Sequence, residues 1–324
     1  MATDDETRHD VRGPMDQRML GIACVVSAVT LFILQDATIK WLSGTYPLHE
    51  VILVRASSAV AVTLFAMRLE GGFRLWRTRR AGLILARSTL LVIANSTFFL
   101  GLASMSIAEA TSIFFIAPVL ITALTALVLR EPVGLRRWAA VCVGLAGVIV
   151  ILRPGEGAVR LVALFPLSAA CCYAAMQIMT RRLGTTDRAS TISFYSQVAF
   201  IVASVTMGLV AGDGRFAPDD GTILVFLLRA WTVPSVADGA LFLGIGALNG
   251  VAAYLMSQGY RVSVPAALAP FEYVALPMSV LWGVLFFGHW PDAVTYAGMA
   301  LVCGGGLYVL NHERVRRSGS GSSS

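Results

Sequence analysis

Two stretches, TSIFFIAPVLITALTALVLREPVGLRRWAAVCVGLAGVIVIL (Thr111–Leu152) and PFEYVALPMSVLWGVLFFGHWPDAVTYAGMALVCGGGLYVLN (Pro270–Asn311), align with each other without a gap. Both are apolar and carry a short polar turn near the middle. Two pairs of prolines and one pair of glycines fall at one common offset: Pro118 with Pro277, Pro132 with Pro291, and Gly147 with Gly306. The alignment predicts an internal duplication. The alternative is that Pro and Gly are simply frequent in apolar membrane helices.

The composition indicates that both stretches belong in a lipid bilayer. The chain has 324 residues, of which 56% are hydrophobic and 14% charged, and its mean hydropathy is +0.73. A soluble domain averages roughly 45–50% apolar and about 25% charged residues. An excess of this size, arranged in long runs almost free of charge, is typical of a polytopic membrane protein.

Runs of about 20 apolar residues, the length that crosses the hydrocarbon core, predict an all-α fold with ten transmembrane helices. Their ranges are 19–41, 49–68, 81–102, 106–129, 136–153, 160–180, 190–211, 237–258, 263–287 and 291–311. The longest connection, 212–236, contains the apolar piece TILVFLLRAW. We interpret it as a short amphipathic segment at the membrane interface, or else as a buried loop helix.

The duplication divides the chain into two halves of five spans. We expect a disordered cytoplasmic leader over 1–17, one repeat over 18–154, a second over 155–312, and a basic tail with a linker-like SGSGSSS ending over 313–324. Because five is odd, the two repeats enter the membrane with opposite orientations. Inverted repeats of this kind place a substrate path at their interface near the membrane midplane.

Orientation is predicted from the basic residues, which cluster in loops on one side of the membrane. If the N-terminus is cytoplasmic, this side holds Arg8, Arg12, Arg18, Arg68, Arg74, Arg77, Arg79, Arg80, Arg130, Arg136, Arg137, Arg181, Arg182, Arg188, Arg261, Arg314, Arg316 and Arg317. The other side holds only Arg153, Arg160, Arg215 and Arg229. Both termini are therefore predicted to be cytoplasmic. The net charge of +6 then needs no nucleic-acid partner to explain it.

The proline within an apolar helix, the turn at Glu131-Pro132, and the glycine-rich helix with Gly144 and Gly147 resemble an EamA repeat. Two such repeats across ten spans resemble the drug/metabolite transporter (DMT) superfamily, a resemblance that runs from Met19 to His312. The second copy departs from it, with His289-Trp290-Pro291 at the turn. Within the superfamily the chain is similar to aromatic and hydrophobic amino-acid exporters of the YddG type. The resemblance implies a bacterial inner (plasma) membrane protein.

Charged residues inside the spans are costly there and mark partners or watery cavities. Asp36 and Lys40 lie one helical turn apart in the first span, Arg55 lies in the second, and Glu109 begins the fourth. The predicted topology brings all four to the external half of the first repeat. They form either a gate of exchangeable ion pairs or a static network, in which Lys40 reaches the headgroups and Glu109 stabilises a helix N-terminus.

A second set of polar and aromatic residues lies deeper and forms the predicted substrate site: Arg87, Asn95, Tyr173, Gln177, Tyr195, Gln197, Asn249, Tyr254, Gln258, Glu272, Tyr273 and Trp282. A zwitterion needs an acceptor for its ammonium group, for which Glu272 is suited, and donors for its carboxylate, such as Arg87. The alternative is that the amides bridge helices and the aromatic residues form the interfacial belt. Pro118, Pro270 and Pro277 interrupt helices and are predicted hinges.

These features predict a secondary transporter that exports aromatic or other hydrophobic amino acids by alternating access. Exchange, proton antiport through Glu272 and uncoupled efflux all stay open. The alternatives are a DMT carrier of another small metabolite or drug, such as a nucleotide sugar or an organic cation, and a membrane-embedded enzyme. No GxxxxGK[ST] loop is present to bind ATP. We expect no enzyme activity, cofactor or metal. The expected partners are an amino acid and the lipid bilayer, and the carrier is expected to work as a monomer.

Overall fold

The computed structural model describes residues 14–70, 80–128, 135–152, 159–183, 189–218, 223–262 and 265–320. Within these ranges the secondary structure is helical, with turns and no strand. The helices are α1 (Pro14–Leu42), α2 (Leu48–Glu70), α3 (Ala81–Ser104), α4 (Ile107–Phe114), α5 (Ala117–Val128), α6 (Leu135–Leu152), α7 (Val159–Val162), α8 (Leu164–Leu183), α9 (Ala189–Ala211), α10 (Leu224–Leu228), α11 (Val236–Val262), α12 (Pro265–Glu272), α13 (Ala275–Phe287) and α14 (Ala293–Ser320).

Seven helical segments in the described ranges are long and apolar enough to cross a membrane, as expected for a multi-pass membrane protein. They are Gln17–Leu42, Leu48–Phe65, Ala81–Ser104, Ile107–Val128, Thr191–Ala211, Val236–Met256 and Pro270–Phe287. Three shorter apolar segments, Cys142–Leu152, Leu164–Thr180 and Ala293–Tyr308, lie where the sequence predicts the other three spans. The count of ten therefore stays a prediction for those three.

Two of the predicted spans are each made of two helices. The break between α4 and α5 falls at Phe115–Ile116, and the break between α12 and α13 falls at Tyr273–Val274. Pro118 and Pro277 follow the breaks, and because proline has no N–H, neither can bond the carbonyl four residues earlier. Tight three-residue turns fill the gaps, with Ile116 donating to Ile113 at 3.2 Å and Val274 to Phe271 at 3.2 Å.

The helix contacts follow a pattern that repeats when the two halves of the chain are exchanged. Helix α1 packs against α11, and α8, at the corresponding place in the second half, packs against α3. In the same way α13 contacts α1 while α5 contacts α8. Helices α2 and α9 pack on each other, as do α6 and α14. Each helix thus meets most of its neighbours across the boundary between the halves.

The crossing of α6 and α14 depends on small residues. A Cβ atom on Gly147 would lie 2.9 Å from the Gly298 carbonyl oxygen, and one on Gly298 would lie 2.9 Å from the Gly147 carbonyl oxygen. Two backbones at this separation leave no room for side chains, which is the usual reason for glycine at interfaces between membrane helices.

The two ends differ from the sequence prediction, whereas the long connection fits the alternative of a buried loop helix. Helix α1 begins at Pro14 and α14 continues to Ser320, past the predicted end at 311, because NHERVRR contains no helix-breaking residue. Residues 1–13 and 321–324 lie outside the described ranges. In the described part of the long connection, 212–218 and 223–235, α10 is the helical segment. Phe226, which is 4% exposed, packs it into the core around α2 and α3.

Candidate functional site

The two helix breaks lie against each other through aromatic rings. The ring centroid of Phe115, at the first break, is 5.3 Å from that of Tyr273, at the second. Phe114 lies 5.4 Å from Tyr173 of α8 and 5.2 Å from Phe98 of α3. We call Phe98, Phe114, Phe115, Tyr173 and Tyr273 the aromatic cluster. Since it joins elements from both halves at interrupted helices, it is the best-placed candidate for a binding site.

Polar groups without partners border the aromatic cluster. Tyr273 is 5% exposed, and its buried hydroxyl has no hydrogen-bond partner. The Thr111 hydroxyl, on α4, is likewise buried and unpartnered. Glu272, the last residue of α12, interacts electrostatically with the hydroxyls of both Tyr173 and Tyr273. Buried polar groups normally find partners, so these atoms are suited to contact a ligand.

A line of polar side chains leads from the aromatic cluster along α8. Tyr173, Gln177 and Thr180 share one face, and Gln177 donates to the Tyr173 hydroxyl at 3.0 Å. Arg87 of α3 donates through Nε to the Thr180 hydroxyl at 2.7 Å and through a terminal nitrogen to the Ser196 hydroxyl of α9 at 2.9 Å. We call this set the polar line. It connects three helices on one side of the aromatic cluster.

Lys40 does not pair with Asp36. Its Nζ donates to the carbonyl oxygens of Leu102 at 2.6 Å and Met105 at 2.7 Å, which end α3. It also lies 5.5 Å from the centre of the Phe287 ring on α13. The geometry is that of a cation at a helix C-terminus, and the structure records no Asp36–Lys40 ion pair among the residues that it describes.

Glu109 has a capping role within its own helix. Its carboxylate accepts from the Ser106 backbone N–H at 3.0 Å, and the Ser106 hydroxyl accepts from the Glu109 N–H at 3.2 Å. This is a capping box at the start of α4. Glu109 also attracts the Lys40 charge. Whether these residues exchange partners as a gate stays a prediction.

The other two members of the predicted gate, Asp36 and Arg55, attract each other but form no ion pair in the described part of the chain. Arg55 is 3% exposed and donates to the Asn95 side-chain oxygen at 3.2 Å. Its guanidinium also lies over the rings of Phe99 and Phe200, at 5.6 Å and 5.1 Å. Asn95 therefore accepts a hydrogen bond from Arg55 and is not part of the polar line.

The α1–α2 turn is joined to the long connection at one end of the bundle, which we call the hairpin end. Arg229 donates to the Gly44 carbonyl oxygen at 2.7 Å, and the Thr232 N–H donates to the Glu50 carboxylate at 3.3 Å. The His49 and Trp231 rings stack with their centroids 5.7 Å apart. These contacts link the two halves of the chain across the hairpin end.

Tyr46 completes the hairpin end. Its hydroxyl donates to the Asp238 carboxylate at 2.8 Å, and this hydrogen bond raises the pKa of Tyr46 above its ordinary value. Asp238 also accepts from the Ser235 hydroxyl at 2.8 Å. The start of α11 is thus fixed to the α1–α2 turn.

The remaining predicted site residues have other neighbours. Tyr195 packs beside Ile84 and Ile192, whereas Trp282 packs beside Phe286 with its indole N–H buried and unpartnered. Gln258 donates to the hydroxyl of Tyr254 at 2.8 Å, and Tyr254 is 56% exposed. Gln197 and Asn249 are half-buried on α9 and α11, with no hydrogen bond recorded in the described part of the chain.

The predicted hinges fall near the helix breaks. Pro118 and Pro277 lie in the first turn of the second helix of each interrupted span, and Pro270 lies inside α12. Whether they bend during a transport cycle stays a prediction.

Sequence reasoning missed the residues that make the aromatic cluster continuous. Phe114 and Phe115 precede Pro118 as FFIAP, and the aligned residues in the second copy are Tyr273 and Val274 in YVALP. An aromatic residue at one aligned position in both copies, Phe114 and Tyr273, was the available signal. Thr180 and Ser196 carried none, because hydroxyls in membrane helices usually bond their own helix.

Comparison with known proteins agrees with the resemblance noted in the sequence. Residues 19–153 match the EamA-like transporter family. A riboflavin transporter from Rhizobium johnstonii is 29% identical, covering 92% of this chain and 93% of that one. One from Vibrio cholerae is 27% identical, covering 91% of each. An S-adenosylmethionine uptake transporter from Rickettsia prowazekii is 20% identical, covering 91% of this chain and 93% of that one.

A solved crystal structure shares the fold. It superposes with a TM-score of 0.59 at 20% identity, covering 90% of this chain and 98% of that one. The relatives are named as carriers of small metabolites. These names agree with the predicted transporter class and do not support amino-acid export as the activity.

Proposed function

We propose that this chain, an EamA-like membrane protein by its match over residues 19–153, is a transporter of riboflavin or a closely related flat aromatic metabolite. The observation that carries the proposal is the aromatic cluster at the two facing helix breaks. Relatives named as riboflavin transporters, which align with about nine-tenths of the chain, indicate which ring system to test first.

The chemistry of riboflavin suits the groups around the aromatic cluster. Its isoalloxazine is a large flat ring system that offers π-faces to Phe114, Phe115 and the tyrosines, and aromatic pairs contribute about 0.5–1.5 kcal/mol beyond area burial. Its ribityl chain carries hydroxyls, which can bond the amide of Gln177 and the unpartnered hydroxyl of Tyr273. Riboflavin is neutral, so binding does not require the matched charges that a zwitterion needs.

We propose that transport proceeds by alternating access between two inverted five-helix halves. The exchange pattern of the helix contacts and the matching positions of the two helix breaks support this arrangement. With the N-terminus cytoplasmic, as the distribution of basic residues predicts, the hairpin end faces outward and is closed. Substrate would then reach the aromatic cluster from the cytoplasmic side, along the polar line.

The test is transport of radiolabelled riboflavin into proteoliposomes that contain the purified protein. We expect saturable uptake that Phe114→Ala or Phe115→Ala reduces at least tenfold. The matched control is Phe65→Ala, because Phe65 is 64% exposed on α2 and touches neither helix break. Uptake that is unaffected by the Phe114 and Phe115 substitutions would remove the aromatic cluster from the proposal. A well-folded protein that moves no riboflavin would refute the substrate.

A second substrate has its own support. S-adenosylmethionine combines an adenine ring with a sulfonium cation, and Glu272 places an acidic group beside the aromatic cluster. Relatives at 20–22% identity are named as S-adenosylmethionine uptake transporters. The same liposomes loaded with S-adenosylmethionine, and with phenylalanine to test amino-acid transport, separate the three possibilities. Glu272→Gln should impair transport of the cation more than that of riboflavin.

A further inference from the structure

Asp36 is an acid within the membrane-spanning part of α1 that lacks a strong partner. Its one hydrogen bond in the described structure comes from the side-chain amide of the adjacent Gln35, at 3.4 Å. Neither Lys40 nor Arg55 forms an ion pair with it among the described residues. Arg55 nevertheless attracts the Asp36 carboxylate from further away. A carboxylate held this loosely within a membrane helix is costly, and the cost disappears when it takes up a proton.

Arg55, on α2, is also incompletely satisfied. It is 3% exposed, and its Nε–H is buried without a hydrogen-bond partner. The contacts it does make, to Asn95 and to the faces of Phe99 and Phe200, do not depend on Asp36. Ionisation of Asp36 therefore adds an attraction to Arg55 without replacing these contacts.

The other acidic groups near α1 have separate roles. Glu109 closes the capping box of α4, and Glu50 and Asp238 accept hydrogen bonds at the hairpin end. Of the helices packed against α1, α3 contributes Arg87, which bonds Thr180 and Ser196, and α12 contributes Glu272, beside the aromatic cluster. Helix α11 has Asp238 and Arg261 near its two ends, and α13 has no charged residue.

We propose that Asp36 is the proton-binding site that couples substrate movement to the transmembrane proton gradient, an inference that rests on the proposed transport function. Asp36 takes one proton from one side of the membrane, becoming a neutral carboxylic acid, and releases it to the other side. While ionised, it attracts Arg55 and draws α1 and α2 together. Once neutral, it no longer opposes their separation, so protonation changes the balance between the two access states.

The first experiment measures coupling with radiolabelled riboflavin in proteoliposomes. With a gradient of one pH unit, a carrier that moves one proton with each neutral substrate accumulates it up to about tenfold. The wild type should show this accumulation. Asp36→Asn should lose it while retaining riboflavin counterflow exchange within about twofold, because exchange needs no net proton movement. Glu109→Gln is the matched control, and it should keep the accumulation ratio even where the lost helix cap lowers the protein yield.

Two results would overturn the proposal: a wild type whose exchange is active but indifferent to the pH gradient, or an Asp36→Asn protein that still accumulates riboflavin. A second readout needs no substrate. Carbodiimides react with protonated carboxyl groups inside membranes, so peptide mass spectrometry should find the adduct on Asp36, decreasing as pH rises, and not on Glu109. An unmodified Asp36 refutes the proton site. A pH-dependent adduct without riboflavin exchange supports the site and refutes the proposed substrate.

Discussion

Arg87 joins three helices through a single side chain. Its guanidinium reaches Thr180 on α8 and Ser196 on α9 at the same time, which requires two donors held in one plane. A lysine at this position has a single ammonium group on a flexible stem and cannot reproduce the fork. The polar line therefore depends on arginine specifically, and not only on a positive charge.

We expect Arg87→Ala to lower the stability of the purified protein by roughly 1.5–3 kcal/mol for each lost charged hydrogen bond, and Arg87→Lys to lie between it and the wild type. The measurement is the melting temperature in detergent, read by fluorescence-detected size exclusion. Arg215→Ala is the control, because Arg215 is a surface residue paired with the exposed Asp213. An Arg87→Lys protein as stable as the wild type would show that the fork does not matter.

The Tyr273 hydroxyl fills the space that a side chain at Gly306 would need. A Cβ atom on Gly306 would clash with the hydroxyl oxygen and ring carbon Cζ of Tyr273. We expect Gly306→Ala to destabilise the fold by about 1–3 kcal/mol through overpacking. Tyr273→Phe alone should leave stability nearly unchanged, because the hydroxyl has no partner.

The double variant Gly306→Ala/Tyr273→Phe makes this prediction sharper. Removing the hydroxyl oxygen leaves the ring carbon in place, so rescue should be partial at most. Melting temperatures of all four proteins form a double-mutant cycle. Full rescue, or an unaffected Gly306→Ala protein, would mean that the Tyr273 ring can move away at little cost. That freedom would itself bear on substrate binding, since Tyr273 belongs to the aromatic cluster.

At the scale of elements, the long connection between α9 and α11 holds the α1–α2 turn. Arg229 provides the donor to Gly44, and it makes a longer contact of 3.5 Å to Ser43. We expect Arg229→Ala to loosen this turn and to increase hydrogen–deuterium exchange over residues 43–50. Arg215→Ala is the control, because Arg215 bonds Val210 and Asp213 in its own segment. Equal exchange in both variants would show that other contacts keep the hairpin end closed.

The crossing of α6 and α14 provides a second prediction for elements. Gly147→Leu and Gly298→Leu should each separate the two helices, because a Cβ already meets opposing backbone at 2.9 Å. We expect a loss of folded protein in both. Gly304→Leu, on the same helix α14, is the matched control, since nothing lies within 4 Å of a Cβ there. Comparable yields for Gly298→Leu and Gly304→Leu would contradict close packing at this crossing.

Some of these elements could be predicted from the sequence and others could not. The positions of the spans follow from hydropathy, because the bilayer forces every spanning segment to be long and apolar. The prolines marked the interrupted helices, because a proline lacks the backbone N–H that would continue the helix. The roles of the charged residues could not be predicted from the sequence. Lys40 bonds carbonyls of a distant helix, and because every residue has a backbone carbonyl, the sequence does not show which of them a lysine will bond. Spacing suggested an Asp36–Lys40 pair, whereas tertiary packing offered Lys40 a better partner.

At the scale of the whole molecule, the same sequence features predict how the chain crosses the membrane. Arginine is concentrated on one side of the predicted spans, and positive residues are retained in the cytoplasm. The N- and C-termini can share that side only if the number of spans is even. The three short apolar segments, Cys142–Leu152, Leu164–Thr180 and Ala293–Tyr308, decide this parity. Topology therefore tests the ten-span prediction at its weakest points.

We expect a fluorescent protein fused after the C-terminus to be bright and an alkaline phosphatase fused there to be inactive. Phosphatase fused after Gly214, in the long connection, or between α6 and α8 should be active, because both connections are predicted to be external. The fusion between α6 and α8 is the most informative, because its side changes if α6 does not cross, even when a second failure at α8 restores the parity downstream. An inactive enzyme both there and after Gly214 would mean that α6 does not cross while α8 does, which reduces the first half to four spans. The halves would then no longer be inverted, and the two facing helix breaks could not be related by an axis in the membrane plane.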